Sequence, residues 1–169
     1  MLMAIATAFF LAAVILLLIY RRQRLHGGSP TGDLIYLDKA EQDVPVLVSE
    51  RYGLKGKPDA LVRTSSGDVI PVERKKSRAP HRPYPGDLIQ ATAYCVLVEE
   101  TYGRTPPFMR IEYADRSFDE AYTLEGKSWV LQTCEQIRHA RRTGVAHRSH
   151  TAPGRCRSCG QRPNCHEPL

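Results

Sequence analysis

Residues 58–75 read PDALVRTSSGDVIPVERK and hold two β-prone runs, Ala60–Arg63 and Val69–Lys75, on either side of Thr64-Ser65-Ser66-Gly67-Asp68. A Ser, Gly and Asp cluster between such runs predicts a hairpin loop. A three-residue loop of Ser65, Ser66 and Gly67, with Gly67 left-handed, closes on Thr64 opposite Asp68 and sets Asp59 directly across from Glu73. Opposed residues hold their Cβ atoms about 4.5–5.5 Å apart, where two like charges destabilise a sheet unless a cation lies between them or one is protonated. Lys75 lies two residues beyond Glu73, so the period-two pleat turns it to the same face. A loop one residue longer or shorter undoes the alignment. Pro58-Asp59 is also an ordinary turn and Glu73-Arg74-Lys75 an ordinary surface strand; their joint spacing carries the signal.

Two facing carboxylates are hard oxygen ligands of the kind Mg²⁺ or Mn²⁺ takes, with coordination positions left over for water and phosphate oxygens. Such an ion polarises a phosphoryl group and acidifies bound water, and a neighbouring ammonium stabilises the charge that builds on phosphorus. Asp59, Glu73 and Lys75 therefore point to phosphodiester hydrolysis.

Around this hairpin the chain alternates. Val44–Glu50 is a β-branched run that predicts a first strand, with Pro45 near its start. Residues 78–86, RAPHRPYPG, are broken by three prolines, and Asp87 is the expected N-cap of a helix running to about Tyr102. Phe108–Tyr113 and Ala121–Leu124 predict two more strands. Gly126–Arg142 has helical spacing in Trp129, Val130, Thr133, Cys134 and Ile137, with arginines at its carboxyl end. The order of elements predicts an α/β (α+β) fold, a mixed sheet with flanking helices.

The amino terminus, Met1–Tyr20, carries no charged side chain and at 1.5 Å per residue would span roughly 30 Å, the thickness of a bilayer core. Arg21, Arg22 and Arg24 follow it, which predicts one transmembrane helix in the cell inner membrane with the rest of the chain facing the cytoplasm. Residues 25–32, LHGGSPTG, have the composition of a tether. The expected organisation is an anchor over 1–20, a juxtamembrane tether over 21–43, a core over 44–150 and a cysteine-rich tail over 151–169. The 169 residues exclude a multidomain enzyme, and 24 Lys and Arg against 18 Asp and Glu, a formal charge of +6, favour polyanionic partners. Three of the five cysteines, Cys156, Cys159 and Cys165, fall within ten residues, a metal-binding spacing more than a disulfide framework. Cys95 and Cys134 sit in apolar helical stripes and read as buried free thiols.

Pro58-Asp59, thirteen residues, then Glu73-Arg74-Lys75 resembles the PD-(D/E)XK nuclease signature, and the leader Gly53-Leu54-Lys55-Gly56-Lys57 is similar to that of its RecB-like branch. Gln90-Ala91-Thr92-Ala93-Tyr94 resembles the Q-x-x-x-Y motif of the same branch; Gln90 and Tyr94, four apart, share a helical face. Cys156-x2-Cys159-x5-Cys165 is similar to the cysteines that hold a [4Fe–4S] cluster in CRISPR-associated RecB-like exonucleases. The resemblance implies a restriction-endonuclease-like fold with Asp59 and Glu73 as Mg²⁺ or Mn²⁺ ligands and Lys75 as base or charge stabiliser. It gives Gln90 and Tyr94 the task of positioning the strand. It also implies a further metal ligand ahead of the first strand, for which His26 and Glu41 are the nearest candidates, and a fourth cluster ligand. His166 beside Cys165 offers a three-cysteine, one-histidine Zn²⁺ site as the alternative to iron–sulfur.

Basic residues gather at Arg74, Lys76, Arg78, His81 and Arg82 and again from Arg138 to Arg162, and Tyr84, Tyr94 and Tyr102 offer faces for unstacked bases. These features predict a membrane-anchored, metal-dependent nuclease that binds a DNA single strand or end without reading its sequence, and the resemblance implies that it acts as an exonuclease. A catalytically impaired nucleic-acid-binding module with the same fold is the alternative. A tethered zinc-ribbon scaffold is a third reading.

Overall fold

The computed structural model describes residues 32–37, as backbone, and 46–169. The expected anchor over 1–20, His26 and Glu41 lie outside the described residues. Among the described residues no helix is long and apolar enough to cross a membrane. The chain divides into two compact units, one ending at Leu131 and the other running from Gln132 to Leu169.

The first unit is a mixed α+β body. Its five-stranded sheet has the order β1 (Gly32–Leu37), β4 (Ala60–Thr64), β5 (Val69–Arg74), β6 (Phe108–Glu112), β7 (Ser117–Ala121). All neighbours are antiparallel except β5 and β6, which are parallel and joined through helix α1 (Pro85–Tyr102). A parallel pair requires such a crossover, and this one lays α1 across the sheet. A two-stranded ribbon, β2 (Leu47–Ser49) with β3 (Leu54–Gly56), packs on the same helix.

Side-chain alternation sorts the sheet into two faces. Leu61 and Val69 join Leu47, Leu97 and Val98 in one buried cluster; Met109, Ile111 and Tyr113 join Ala91 and Cys95 in another. Both clusters lie between sheet and helix. On the opposite face Ala60, Val62 and Val72 form a third. Arg110, 2% exposed, is on that face too, its guanidinium bound to Asp119 by two 2.6 Å bonds. Helix α1 buries four consecutive residues, Cys95–Val98, so it is enclosed on more than one side. Pro85 occupies its first turn, where the missing N–H costs nothing, and Gly103 ends it at φ 66°, its N–H donating to Glu99 O at 3.0 Å.

The tether expected over 21–43 contains strand β1, which pairs with β4 and completes one side of the sheet. The Gly and Pro before it dominate the local composition, whereas strand formation depends on a partner 27 residues or so away in sequence. Of the strand predicted over Val44–Glu50, the described residues contain Leu47–Ser49, which pairs with β3, a partner the sequence did not suggest. Asp87 is not the N-cap of α1: Tyr84 holds that place with extended dihedrals, and Asp87 falls in the first turn. The last strand is Ser117–Ala121, not Ala121–Leu124, because the β6–β7 hairpin turns early, with Tyr113 N–H donating to Arg116 O at 2.8 Å. Helix α2 (Leu124–Thr143) begins at Leu124 and crosses the division between the units. Its Ile137 is exposed and Cys134 half-buried, so the expected apolar stripe does not continue past Val130 as a core.

The second unit contains the rest of α2, a short helix α3 (Pro153–Arg157) and a 3-10 turn over Arg162–Asn164. Arg148 and Glu167 close it: Arg148 donates from its backbone to Glu167 Oε2 at 3.0 Å and from Nη1 to Glu167 O at 2.6 Å.

Candidate active site

The β4–β5 hairpin has the register its sequence predicts. Thr64 N–H donates to Asp68 O at 2.9 Å, Gly67 stands at φ 83°, and Ala60 pairs with Val72. One further step sets Asp59 against Glu73. Asp59 does not sit loose at the strand end, because its Oδ2 accepts the Arg74 backbone N–H at 2.6 Å. The two carboxylates thus share the sheet face that α1 covers. Glu73 is buried, and burial raises its pKa above the ordinary glutamate value; the Lys75 bond lowers it but does not cancel the effect, and the Asp59 charge adds to it.

Lys75 gathers the rest. Its backbone N–H donates to Glu112 O at 2.7 Å, which carries the chain past the end of β5 alongside β6. Its ammonium meets Glu73 Oε1 at 2.9 Å, Gln90 Oε1 at 3.0 Å and Asp87 Oδ1 at 3.2 Å. Burial alone would depress the Lys75 pKa, but the bonds to Glu73 and Asp87 outweigh it and raise the value. Gln90 relays the contact, its Nε2 donating to Tyr94 Oη at 3.0 Å. Burial raises the Tyr94 pKa as well. The Tyr94 ring lies against Gly56 of β3, where a Cβ would come within 2.9 Å of Cε1. The five residues singled out in the sequence, Asp59, Glu73, Lys75, Gln90 and Tyr94, therefore form one connected group.

Two members of this group were not foreseen. Asp87 binds Lys75 with one oxygen and accepts the Tyr113 hydroxyl with the other at 2.6 Å. Burial and the Asp87 carboxylate push the Tyr113 hydroxyl up to about 12. The spacing that joins Gln90 to Tyr94 also puts Asp87 three residues before Gln90 on the same helical face, a signal available in the sequence. Tyr113 had none.

The donor chemistry fits Mg²⁺ or Mn²⁺: two carboxylates on adjoining strands supply hard oxygen atoms, and such ions keep several water ligands. Among the described residues no three His, Cys, Asp or Glu side chains form a ready-made cage. The nearby basic loop is only partly free to meet an anion, since Arg74 pairs with Glu112 at 2.9 Å and Arg78 with Asp115 at 3.3 Å. Lys76, His81, Arg82 and Tyr84 are exposed there.

Over 74 residues, 40% of its length, the chain is 39% identical to the "CRISPR-associated exonuclease Cas4/endonuclease Cas1 fusion" of Myxococcus xanthus (strain DK1622). It resembles a CRISPR-associated nuclease. The match covers 12% of that much longer relative. The crystal structure of SSO0001 is similar over 96% of this chain and 72% of that one, with 16% identity and a TM-score of 0.49, values too low to carry function across. No protein-family model matches the chain.

In the second unit Cys156, Cys159 and Cys165 line one cavity of about 270 Å³ together with His147 and His150. All three thiols are free, Cys156 buried, Cys165 half-buried and Cys159 exposed. Cys165 Sγ accepts the Glu167 N–H at 3.4 Å, and Glu167 also binds His147 Nδ1 at 2.7 Å. His166 is exposed and does not line this cavity. Cys95 is buried against Met109, its sulfur 3.9 Å from the thioether, and burial raises its pKa far above the ordinary thiol range.

Proposed function

We propose that this chain is a metal-dependent nuclease of the PD-(D/E)XK type and RecB-like branch, hydrolysing DNA phosphodiester bonds, with exonuclease action as its mode. The convergence of Asp59 and Glu73 with a Lys75 ammonium carries this reading, and the partial identity to a CRISPR-associated nuclease supports it. Asp59 and Glu73 would hold Mg²⁺ or Mn²⁺, which supplies Lewis-acid activation of a phosphoryl oxygen and of water when bound. Lys75, with all three ammonium hydrogens engaged, acts as a cation beside the developing charge and not as a base. Gln90 fixes Lys75 from the helix side and passes orientation to Tyr94, whose ring and hydroxyl flank the strand. Lys76, His81, Arg82 and Tyr84 meet backbone phosphates and bases without sequence preference.

Cys156, Cys159 and Cys165, with a fourth ligand, would hold a [4Fe–4S] cluster, or Zn²⁺ in its stead; their shared cavity supports this reading. Met1–Tyr20 anchors the chain in the inner membrane, with the nuclease in the cytoplasm. The decisive experiment gives the purified chain end-labelled DNA with Mn²⁺ or Mg²⁺. The wild type cuts, Glu73→Ala and Lys75→Ala do not, and all three bind DNA with an affinity that falls as salt rises. Equal inertness of wild type and variants, with DNA still bound, would replace the nuclease by the impaired binding module. A visible absorption band in anaerobically prepared protein distinguishes iron–sulfur from colourless Zn²⁺.

A further inference from the structure

Among the described residues Lys75 has three hydrogen-bond partners, and they differ in kind. Glu73 faces Asp59 and belongs to the carboxylate pair; Gln90 is neutral; Asp87 is charged but comes from the first turn of α1. Asp87 also has its direction set from elsewhere. The Tyr113 hydroxyl holds its second oxygen at 2.6 Å, and Tyr113 is itself buried, its ring meeting Phe118 edge-on at 5.8 Å. The Asp87 carboxylate is thus fixed by the end of β6.

We infer that Asp87, oriented by Tyr113, is a positioning residue that keeps the Lys75 ammonium in place when Glu73 turns to a divalent cation, and so sets how tightly the carboxylate pair takes that cation. This rests on the nuclease reading above. When Glu73 gives an ion Oε1, the oxygen that Lys75 holds, the ammonium loses its nearest partner, and among the described residues bonded to it Asp87 is the remaining anion. Without the Asp87 charge, Glu73 is the sole carboxylate among the described residues on Lys75, and an incoming cation must compete with the ammonium for it. The charges agree with this assignment: Asp59, Glu73 and Asp87 against Lys75 leave two negative charges, the complement of one divalent ion. Asp87→Asn halves that complement while leaving an oxygen to accept the Tyr113 hydrogen bond.

The test measures Mn²⁺ binding to the full chain by calorimetry or electron paramagnetic resonance, without DNA. Asp87→Asn is expected to bind Mn²⁺ about 10–100-fold more weakly, the range typical of groups that orient metal ligands. Tyr113→Phe keeps the charge but frees the carboxylate, and shifts affinity in the same direction by less; it also serves if Asp87→Asn fails to fold. The signature of action through Lys75 is non-additivity: in a Lys75→Met background the effect of Asp87→Asn shrinks. If the wild type binds Mn²⁺, Glu73→Ala abolishes it and Asp87→Asn leaves it unchanged, the inference fails and the nuclease reading stands. Additive effects of the Asp87 and Lys75 substitutions overturn the coupling. If the wild type takes up no Mn²⁺, both the inference and the nuclease reading fall.

Discussion

Replacing Gly56 by Ala tests how the β2–β3 ribbon supports the site. The new Cβ would lie 2.9 Å from Tyr94 Cε1, 3.0 Å from Leu97 Cδ1 and 3.3 Å from Tyr94 Cδ1. Carbon atoms pack best at about 3.5–4.0 Å, so the methyl group overlaps two neighbours by roughly half an ångström or more. Neither can yield freely. Leu97 is buried, and the Tyr94 hydroxyl is tied to Gln90. Overpacking of this kind costs about 1–3 kcal/mol, and the smaller entropy of an unfolded alanine returns about 0.4–1 kcal/mol. A net loss of about 1–2 kcal/mol lowers the melting temperature by roughly 2–8 °C in a protein of this size. Cleavage should fall further than stability alone explains, because the displaced ring leads through Gln90 to Lys75. Thermal unfolding followed by circular dichroism, with Mn²⁺-dependent cleavage at a temperature where both proteins are folded, makes the measurement. In a Tyr94→Ala background the penalty should drop to what the Leu97 contact imposes. A Gly56→Ala protein that melts at or above the wild type would refute the reasoning.

Three further outcomes are expected. Asp119→Ala strands the buried Arg110 guanidinium, one of whose nitrogens, Nη1, already lacks a partner among the described residues, and should cost about 3–5 kcal/mol in urea unfolding; a change under 1 kcal/mol would show the pair to be dispensable. Because burial raises the Glu73 pKa, its contribution favours folding below the ordinary glutamate value and is lost as pH rises through the raised one. Glu73→Gln, inactive in cleavage, should therefore gain on the wild type in stability as pH climbs through that window; parallel stability curves would contradict this. Glu99 behaves in the opposite sense. Burial pushes its carboxyl up, but bonds from Lys127 at 2.9 Å and Tyr122 at 2.8 Å hold it below the ordinary value, so its stabilisation is present above that value and disappears as pH falls through the lowered one. Lys127→Met should narrow that acid-dependent loss, measured by pH-resolved melting.

The amino-acid sequence by itself determined the hairpin register, and with it the meeting of Asp59, Glu73 and Lys75. The strand pleat has a period of two, and Gly67 closes the loop in the left-handed conformation, so local rules suffice to count across it. Gln90 and Tyr94 were legible for a similar reason, being one helical turn apart. The cysteine spacing was legible as well, but not its surroundings: His147 and His150 come to the same cavity in a unit closed by Arg148 and Glu167, 19 residues apart in sequence.

Only the tertiary structure decided the rest. Strand β1 exists because β4 offers it an edge, and no local pattern in a Gly- and Pro-rich stretch reports that edge. Helix α1 carries no clean apolar stripe because sheet and ribbon bury it from several sides, so periodicity could not say which face meets the site. The local sequence marks Asp87 as a helix cap; Tyr84 takes that place, and Tyr113, 26 residues away and at the end of another strand, holds the Asp87 carboxylate. Short-range geometry follows from bond rotation and spacing along the chain. The partners of Lys75 follow from how a helix lands on a sheet, which depends on the packing of all of them together.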